Sequence, residues 1–133
     1  MFCRYVLPYR IGNEKTSLWR KTFTVPSWVR EAYAPNQDNS TYAYGMANDI
    51  LGGMRSVIYY PPQFLPDLPL TALEHVKSAS CKEYAHLCVA VLRAHGLPAT
   101  IDFTPQWGNR GLGHEWCVFF PDNHSFIPFN PGE

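Results

Sequence analysis

The stretch SCKEYAHLCVAVLRAHGLPA, residues 80–99, predicts a helix whose start and end are both marked in the sequence. Ser80 followed by Glu83 is a capping-box pattern, in which two side chains satisfy the first backbone N–H groups of a helix. Gly96, with a proline two residues later, is the usual signal for a helix end. Apolar side chains between these signals recur on one face. We therefore expect the helix to run to His95 and to pack on a core.

Cys81 falls in the first turn of this helix, which is a distinctive place for a thiol. Unpaired backbone N–H groups at a helix start carry partial positive charge, and that charge favours a thiolate. Cys88, two turns further along, receives no such help and is expected to be a small core residue. The two are roughly 10 Å apart along the axis, too far for a disulfide. We therefore expect free thiols, with Cys81 either a nucleophile or a residue that merely packs.

Three strand-like segments follow the helix, at residues 99–104, 114–120 and 124–129. They are rich in β-branched and aromatic side chains, and strands joined by short turns are normally antiparallel neighbours. His114 is predicted to begin the middle strand, and Asn130 to follow the end of the third. Imidazole is the usual base for activating a thiol, so His114 is the candidate base and Asn130 its candidate orienting group.

A thiol that attacks a carbonyl group would also need donors for the oxyanion, and the Cys81 backbone N–H is the first candidate. Gln106 and Trp107, in the loop before the middle strand, are further candidates for oxyanion or substrate contact, together with Trp116. Three other histidines are expected to be exposed on helices: His75, His86 and His95.

The chain is expected to be one domain, residues 1–133, in two parts. Residues 1–70 are predicted to form a helical layer, with a helix near 41–54, and to end in a proline-rich loop at 59–70. Residues 71–133 are predicted to form the core that carries the candidate catalytic residues. Because the sequence stops just after the third strand, we also expect the chain to be excised from a longer protein.

Composition narrows the possible partners. The sequence is 46% hydrophobic, and its 11 basic residues balance 11 acidic ones without a basic stripe. Nucleic acid and anionic membranes are therefore disfavoured as partners. No apolar stretch is long enough to span a bilayer, and the first residues do not read as a signal peptide. No ligand spacing, such as a CxxC pair, predicts a metal site, and no cofactor is expected.

Several motifs resemble the transglutaminase-like superfamily. The helix-initiating Cys81 with RAHGLPA at residues 93–99 is similar to its cysteine helix, and HEW at 114–116 to its His-Ala-Trp strand. FIPFNP at 126–131 is similar to the Trp-x-x-x-Asp-Pro motif that supplies the third catalytic residue. The resemblance implies an α+β, papain/transglutaminase-like core: a cysteine helix on a small antiparallel sheet, with a helical N-terminal layer. It also implies a Cys-His-Asn triad acting on peptide or protein amides, as a cysteine protease, amidase or transglutaminase.

The sequence departs from the family pattern at three positions: Ala79 replaces a glycine, Asn130 an aspartate and Phe126 a tryptophan. The alternative is a catalytically degenerate member that binds peptide or glycan. Residues 7–14 and 107–109 also resemble a subgroup found in larger secreted proteins of gut Bacteroidetes, which implies an extracytoplasmic location.

Overall fold

The computed structural model describes residues 2–6, 11, 17–23, 57–58, 68–73, 78–106, 108–109 and 111–129 of the 133. Within them the helices are α1 (Phe2–Tyr5), α2 (Trp19–Thr22), α3 (Leu70–Leu73) and α4 (Cys81–Ala94). The strands are β1 (Val57–Ile58), β2 (Ser78–Ala79), β3 (Ala99–Thr104), β4 (His114–Phe119) and β5 (Ile127–Phe129). None of these described helices is long and apolar enough to cross a lipid bilayer. Helices beside an antiparallel sheet give the chain an α+β fold.

Both ends of α4 form as the sequence predicts. At the start, Ser80 has an extended backbone, and its Oγ accepts a hydrogen bond from the Glu83 N–H at 3.2 Å. At the end, Gly96 adopts φ +77°, a left-handed conformation that suits glycine. The Leu97 N–H then returns to the Leu92 carbonyl at 2.9 Å and closes the last turn. Local sequence signals therefore set the length of this helix.

α4 is also the centre of the fold, because it is buried on all sides from Glu83 to Arg93. The sheet packs against it, and so do α2 and α3. Only its first two residues, Cys81 and Lys82, and its last, Ala94, are half-exposed. Burying one Leu or Val side chain contributes roughly 1.5–3 kcal/mol, so packing stabilises this helix more than intrinsic propensity does.

The second layer is a three-stranded antiparallel sheet in the order β3-β4-β5, which confirms the predicted neighbours. Its register pairs Ala99 with Phe119 at one end and Thr104 with His114 at the other. Successive side chains of a strand point to opposite faces. Cys117 and Phe119 are fully buried in the core cluster, so their face is the one that packs on α4.

α4 and β4 run in the same direction. Near the start of both, His86 Nε2 lies 3.6 Å from Glu115 Oε2. Near their ends, Arg93 Nε donates to the Ala99 carbonyl at 2.9 Å, and Ala99 is the register partner of Phe119. Residues near the start of α4 therefore contact residues near the start of β4, and residues near the end of α4 lie beside the end of β4. The start of α4 and the start of β4 lie at the same end of the two layers.

The described N-terminal segments pack around α4, and α1 also meets the end of the sheet, where the Tyr5 and Phe120 ring centroids lie 4.5 Å apart. Trp19 of α2 is only 1% exposed and joins the same core cluster as Leu70 of α3. The Arg20 guanidinium donates to the Arg93 carbonyl at 2.9 Å and to the Val6 carbonyl. This arginine thereby connects α1 and α2 to the C-terminal end of the central helix.

Two features differ from the sequence-based expectation. β5 begins at Ile127 rather than at residue 124, because the Asp122 carboxyl group accepts from the His124 and Ser125 N–H groups at 2.7 Å each and holds them in a turn. A short parallel pair, β1 with β2, was not predicted. The predicted helix near 41–54, and the proline-rich loop up to residue 67, lie outside the described residues.

Candidate active site

Cys81 is the first residue of α4 and is half-exposed. The first intrahelical hydrogen bond runs from the Tyr84 N–H to the Ser80 carbonyl at 2.9 Å. The N–H groups of Cys81 and Lys82 precede that bond and lie outside the helical ladder, as at any helix start. Their partial positive charge is directed at the first turn, which is where the thiol sits.

Glu83 holds this first turn in place. Its carboxylate Oε2 accepts from the Ser80 N–H at 2.9 Å and from the Ser80 hydroxyl at 3.0 Å, which completes the predicted capping box. The other oxygen, Oε1, accepts from the Leu68 backbone N–H at 3.0 Å. The Glu83 side chain therefore fixes Ser80, the residue that precedes Cys81, and connects it to the Leu68 backbone.

His114 begins β4, as predicted, and is half-buried. Its ring centroid lies 5.8 Å from that of Trp116, two residues along the same strand. Strand alternation assigns both residues to the face opposite Cys117, away from α4. For the thiol and the imidazole to meet, the His114 side chain has to reach past the end of the sheet toward the start of α4. The structure thus brings the two elements to one end but gives His114 the Trp116 ring as its neighbour.

The other candidate residues divide into two groups. Gln106 is exposed in the turn after β3, where its carbonyl accepts from the Thr104 hydroxyl at 2.9 Å. Trp116 is half-buried and pairs in register with Asp102. Trp107 and Asn130 lie outside the described residues.

A buried histidine on α4 was wrongly expected to be exposed. His86 is only 7% exposed, and its ring pairs with Glu115 at the first contact between helix and sheet. Glu115 occupies the position where the family motif has alanine, so this substitution was the available signal. Within the described part of the chain, no three His, Cys, Asp or Glu side chains are grouped so as to hold a metal ion.

The four cysteines are all free thiols, as expected, but they differ in accessibility. Burial raises the pKa of Cys88 well above its usual 9.0, with a smaller contribution from the neighbouring Cys117. Burial also raises the pKa of Cys117 to about 12, partly offset by the positive charge of Arg93. Both stay protonated at neutral pH. Only Cys81 and the exposed Cys3 near the N-terminus remain open to reagents.

Comparison with known proteins identifies the family. A model of the transglutaminase-like superfamily matches residues 26–131, which is most of the chain. The matched region contains the capped cysteine helix, all three strands of the antiparallel sheet and the sequence motifs at 93–99, 114–116 and 126–131. No curated protein and no solved structure matches the chain. The chain belongs to the transglutaminase-like superfamily.

Proposed function

We propose that this domain catalyses thiol-dependent acyl transfer on amide bonds, with Cys81 as the nucleophile. The observation that carries the proposal is the placement of Cys81. It is a half-exposed thiol at the capped start of α4, in a chain of the transglutaminase-like superfamily, while Cys88 and Cys117 are buried in the core. A half-exposed thiol at a helix start is open to substrate and lies beside backbone N–H groups that can donate to an oxyanion.

The proposed reaction has two steps. The Cys81 sulfur bonds to the amide carbonyl carbon, and the C–N bond breaks to leave a thioester. His114 takes the thiol proton and passes it to the departing amine, while Asn130 orients the ring. Water or an amine then attacks the thioester and gives a carboxylic acid or a new amide. A proton from the attacking group returns through His114 to the sulfur.

The oxyanion of each step needs positioned donors. The Cys81 backbone N–H is the first, since it lies outside the helical ladder at the start of α4. Gln106 and Trp107 belong to the loop that joins β3 to β4. The last residue of β3, Thr104, pairs with His114, the first residue of β4. Gln106 and Trp107 are the proposed second donor or substrate contact. Water as acceptor makes the domain a protease or amidase, and an amine makes it a transglutaminase.

Several finer predictions accompany this proposal. They are the extent of one domain over residues 1–133 with a division near residue 70, a papain-like arrangement of the core, and the Bacteroidetes subgroup. Excision from a longer protein and an extracytoplasmic location follow from that subgroup. A peptide or protein amide is the proposed substrate.

The decisive experiment compares the 133-residue chain with its Cys81→Ala variant in two assays. One follows incorporation of a fluorescent primary amine into a glutamine-containing protein, and the other follows amine release from peptide amides. Loss of the nucleophile should lower either activity by at least about a thousandfold. Cys3→Ser is the matched control, because it removes the other accessible thiol and should leave activity unchanged. Activity that survives in Cys81→Ala would rule out the proposed nucleophile.

A second candidate function is a binding module that keeps the fold without the chemistry. The observation in its favour is the assignment of His114 to the face of Trp116, opposite α4, which leaves an imidazole beside an aromatic ring on that face. Aromatic side chains of this kind contact peptides and sugars. The two functions differ in the thiol: a catalytic Cys81 should be alkylated much faster than a model thiol at mildly acidic pH, and a binding module needs no such reactivity.

A further inference from the structure

Glu83 makes one more contact than a helix cap requires. A capping box uses one carboxylate oxygen to accept from the N-cap backbone, and Oε2 does this at 2.9 Å from the Ser80 N–H. Oε1 is left over, and it accepts from the Leu68 N–H, fifteen residues upstream, at 3.0 Å. The side chain is only 7% exposed, so these bonds form away from bulk water.

The bond to Leu68 fixes a specific piece of chain. Leu68 and Pro69 end the proline-rich stretch, and α3 follows immediately with Leu70 and Leu73 buried in the core. α3 packs against α4. Hydrogen bonds to an ionised carboxylate are roughly twice as strong as neutral ones. Glu83 therefore joins the end of the proline-rich stretch to the turn that carries Cys81.

We infer that Glu83 is a positioning residue, which holds the Leu68–Pro69 segment against the first turn of α4 and so sets the orientation and the accessibility of the Cys81 thiol. This inference rests on the proposed function for its catalytic meaning. Glu83 is not itself a catalytic residue, because both of its oxygens are occupied by protein donors and the side chain is buried. It acts through Ser80, which precedes Cys81 in the chain, and through the Leu68–Pro69 segment.

The test uses a Cys3→Ser background, in which Cys81 is the one thiol outside the buried core. Two readouts need no enzymatic activity: hydrogen exchange at the Leu68 amide and the rate of Cys81 alkylation by iodoacetamide at pH 7. The variants are Glu83→Ala, which removes both anchors, and Glu83→Gln, whose single carbonyl oxygen can keep only one of them. Val89→Ala is the matched control, because Val89 is fully buried in the same helix but lies away from its first turn.

We expect Glu83→Ala to raise exchange at the Leu68 amide by roughly tenfold, as for the loss of the one charge-assisted hydrogen bond that this N–H donates. Cys81 alkylation should rise by a similar factor, because the released Leu68–Pro69 segment leaves the thiol more accessible. Glu83→Gln should lie between Glu83→Ala and the parent, and Val89→Ala should change neither rate beyond its effect on global stability. Where acyl transfer is measurable, kcat should fall about tenfold in Glu83→Ala with little change in KM, as for a group that places the thiol rather than binds substrate.

Three results would overturn the inference: unchanged Leu68 exchange in Glu83→Ala, Cys81 alkylation in that variant that is not faster than in the parent, or equal increases in Val89→Ala. The last would mean that Glu83 contributes only general stability. Failure of the proposed function looks different, since it appears as activity that survives Cys81→Ala. The exchange and alkylation rates then still decide the role of Glu83.

Discussion

Alkaline pH should destabilise this protein through its two buried thiols, Cys88 and Cys117. Burial raises the pKa of both, to about 12 for Cys117, whereas an exposed thiol has a pKa of 9.0. Above pH 9 the unfolded chain therefore releases a thiol proton that the folded chain retains. Folding stability falls wherever the unfolded state binds fewer protons. The stabilising effect of the neutral thiol is complete below pH 9 and is lost between pH 9 and about pH 12.

The size of the effect follows from these two values for Cys117. At pH 8 both states are almost fully protonated at this thiol, and its contribution to the pH dependence is close to zero. At pH 10 the unfolded thiol is about nine-tenths ionised, and the folded one only about one-hundredth. The free energy of unfolding should therefore fall by on the order of 1 kcal/mol between pH 8 and pH 10 on account of Cys117.

Urea unfolding at pH 8 and at pH 10 tests this, with the wild type compared with Cys117→Ala. The cavity left by the truncation lowers stability equally at both pH values, so it cancels from the difference. Wild type should lose on the order of 1 kcal/mol more than Cys117→Ala on going to pH 10. Cys3→Ala is the control, because its thiol is exposed and should leave the pH dependence unchanged. Identical pH dependence in wild type and Cys117→Ala would refute the reasoning.

Two further predictions concern the end of the central helix. Gly96→Ala should lower the free energy of unfolding by about 1–2 kcal/mol, measured in urea, because φ is +77° there while a Cβ would meet no atom within 4 Å. Arg20→Met should cost about 1–3 kcal/mol in the same assay, because its guanidinium satisfies the Arg93 and Val6 carbonyls. Lys21→Met, at an exposed neighbouring position, should cost much less, and equal losses would contradict the assigned role of Arg20.

The parts of the fold that were predictable are those set by neighbouring residues. Ser80 and Glu83 are three positions apart, so their capping box needs nothing from the rest of the chain. Gly96 ends the helix because of its own backbone freedom. β3 and β4 follow from their β-branched and aromatic content and a short connection. The candidate thiol was predictable for the same reason, since its place in the first turn is a local property.

The parts that were not predictable depend on distant residues. β1 pairs with β2 although about twenty residues separate them, and such a pairing leaves no local pattern. In the sequence His86 occupies an ordinary helical position, and Glu115 becomes its partner only when α4 packs against the sheet. The start of β5 was set by Asp122, whose carboxyl group accepts from the His124 and Ser125 N–H groups and so competes with strand formation.

Burial, more than any motif, distinguishes the four thiols of this chain. Burial raises the pKa of Cys88 and Cys117, so both thiols stay protonated and shielded from solvent. Cys3 lies outside the core cluster. The helix that buries Cys88 presents Cys81 at its half-exposed N-terminal end, which lies at the same end of the two layers as the start of β4. For Cys81 to act as the nucleophile its backbone has to be fixed, because the N–H groups beside it can donate to an oxyanion in one orientation only. The Glu83 carboxylate holds this backbone through the Ser80 and Leu68 N–H groups, which is why its removal should change the reactivity of Cys81.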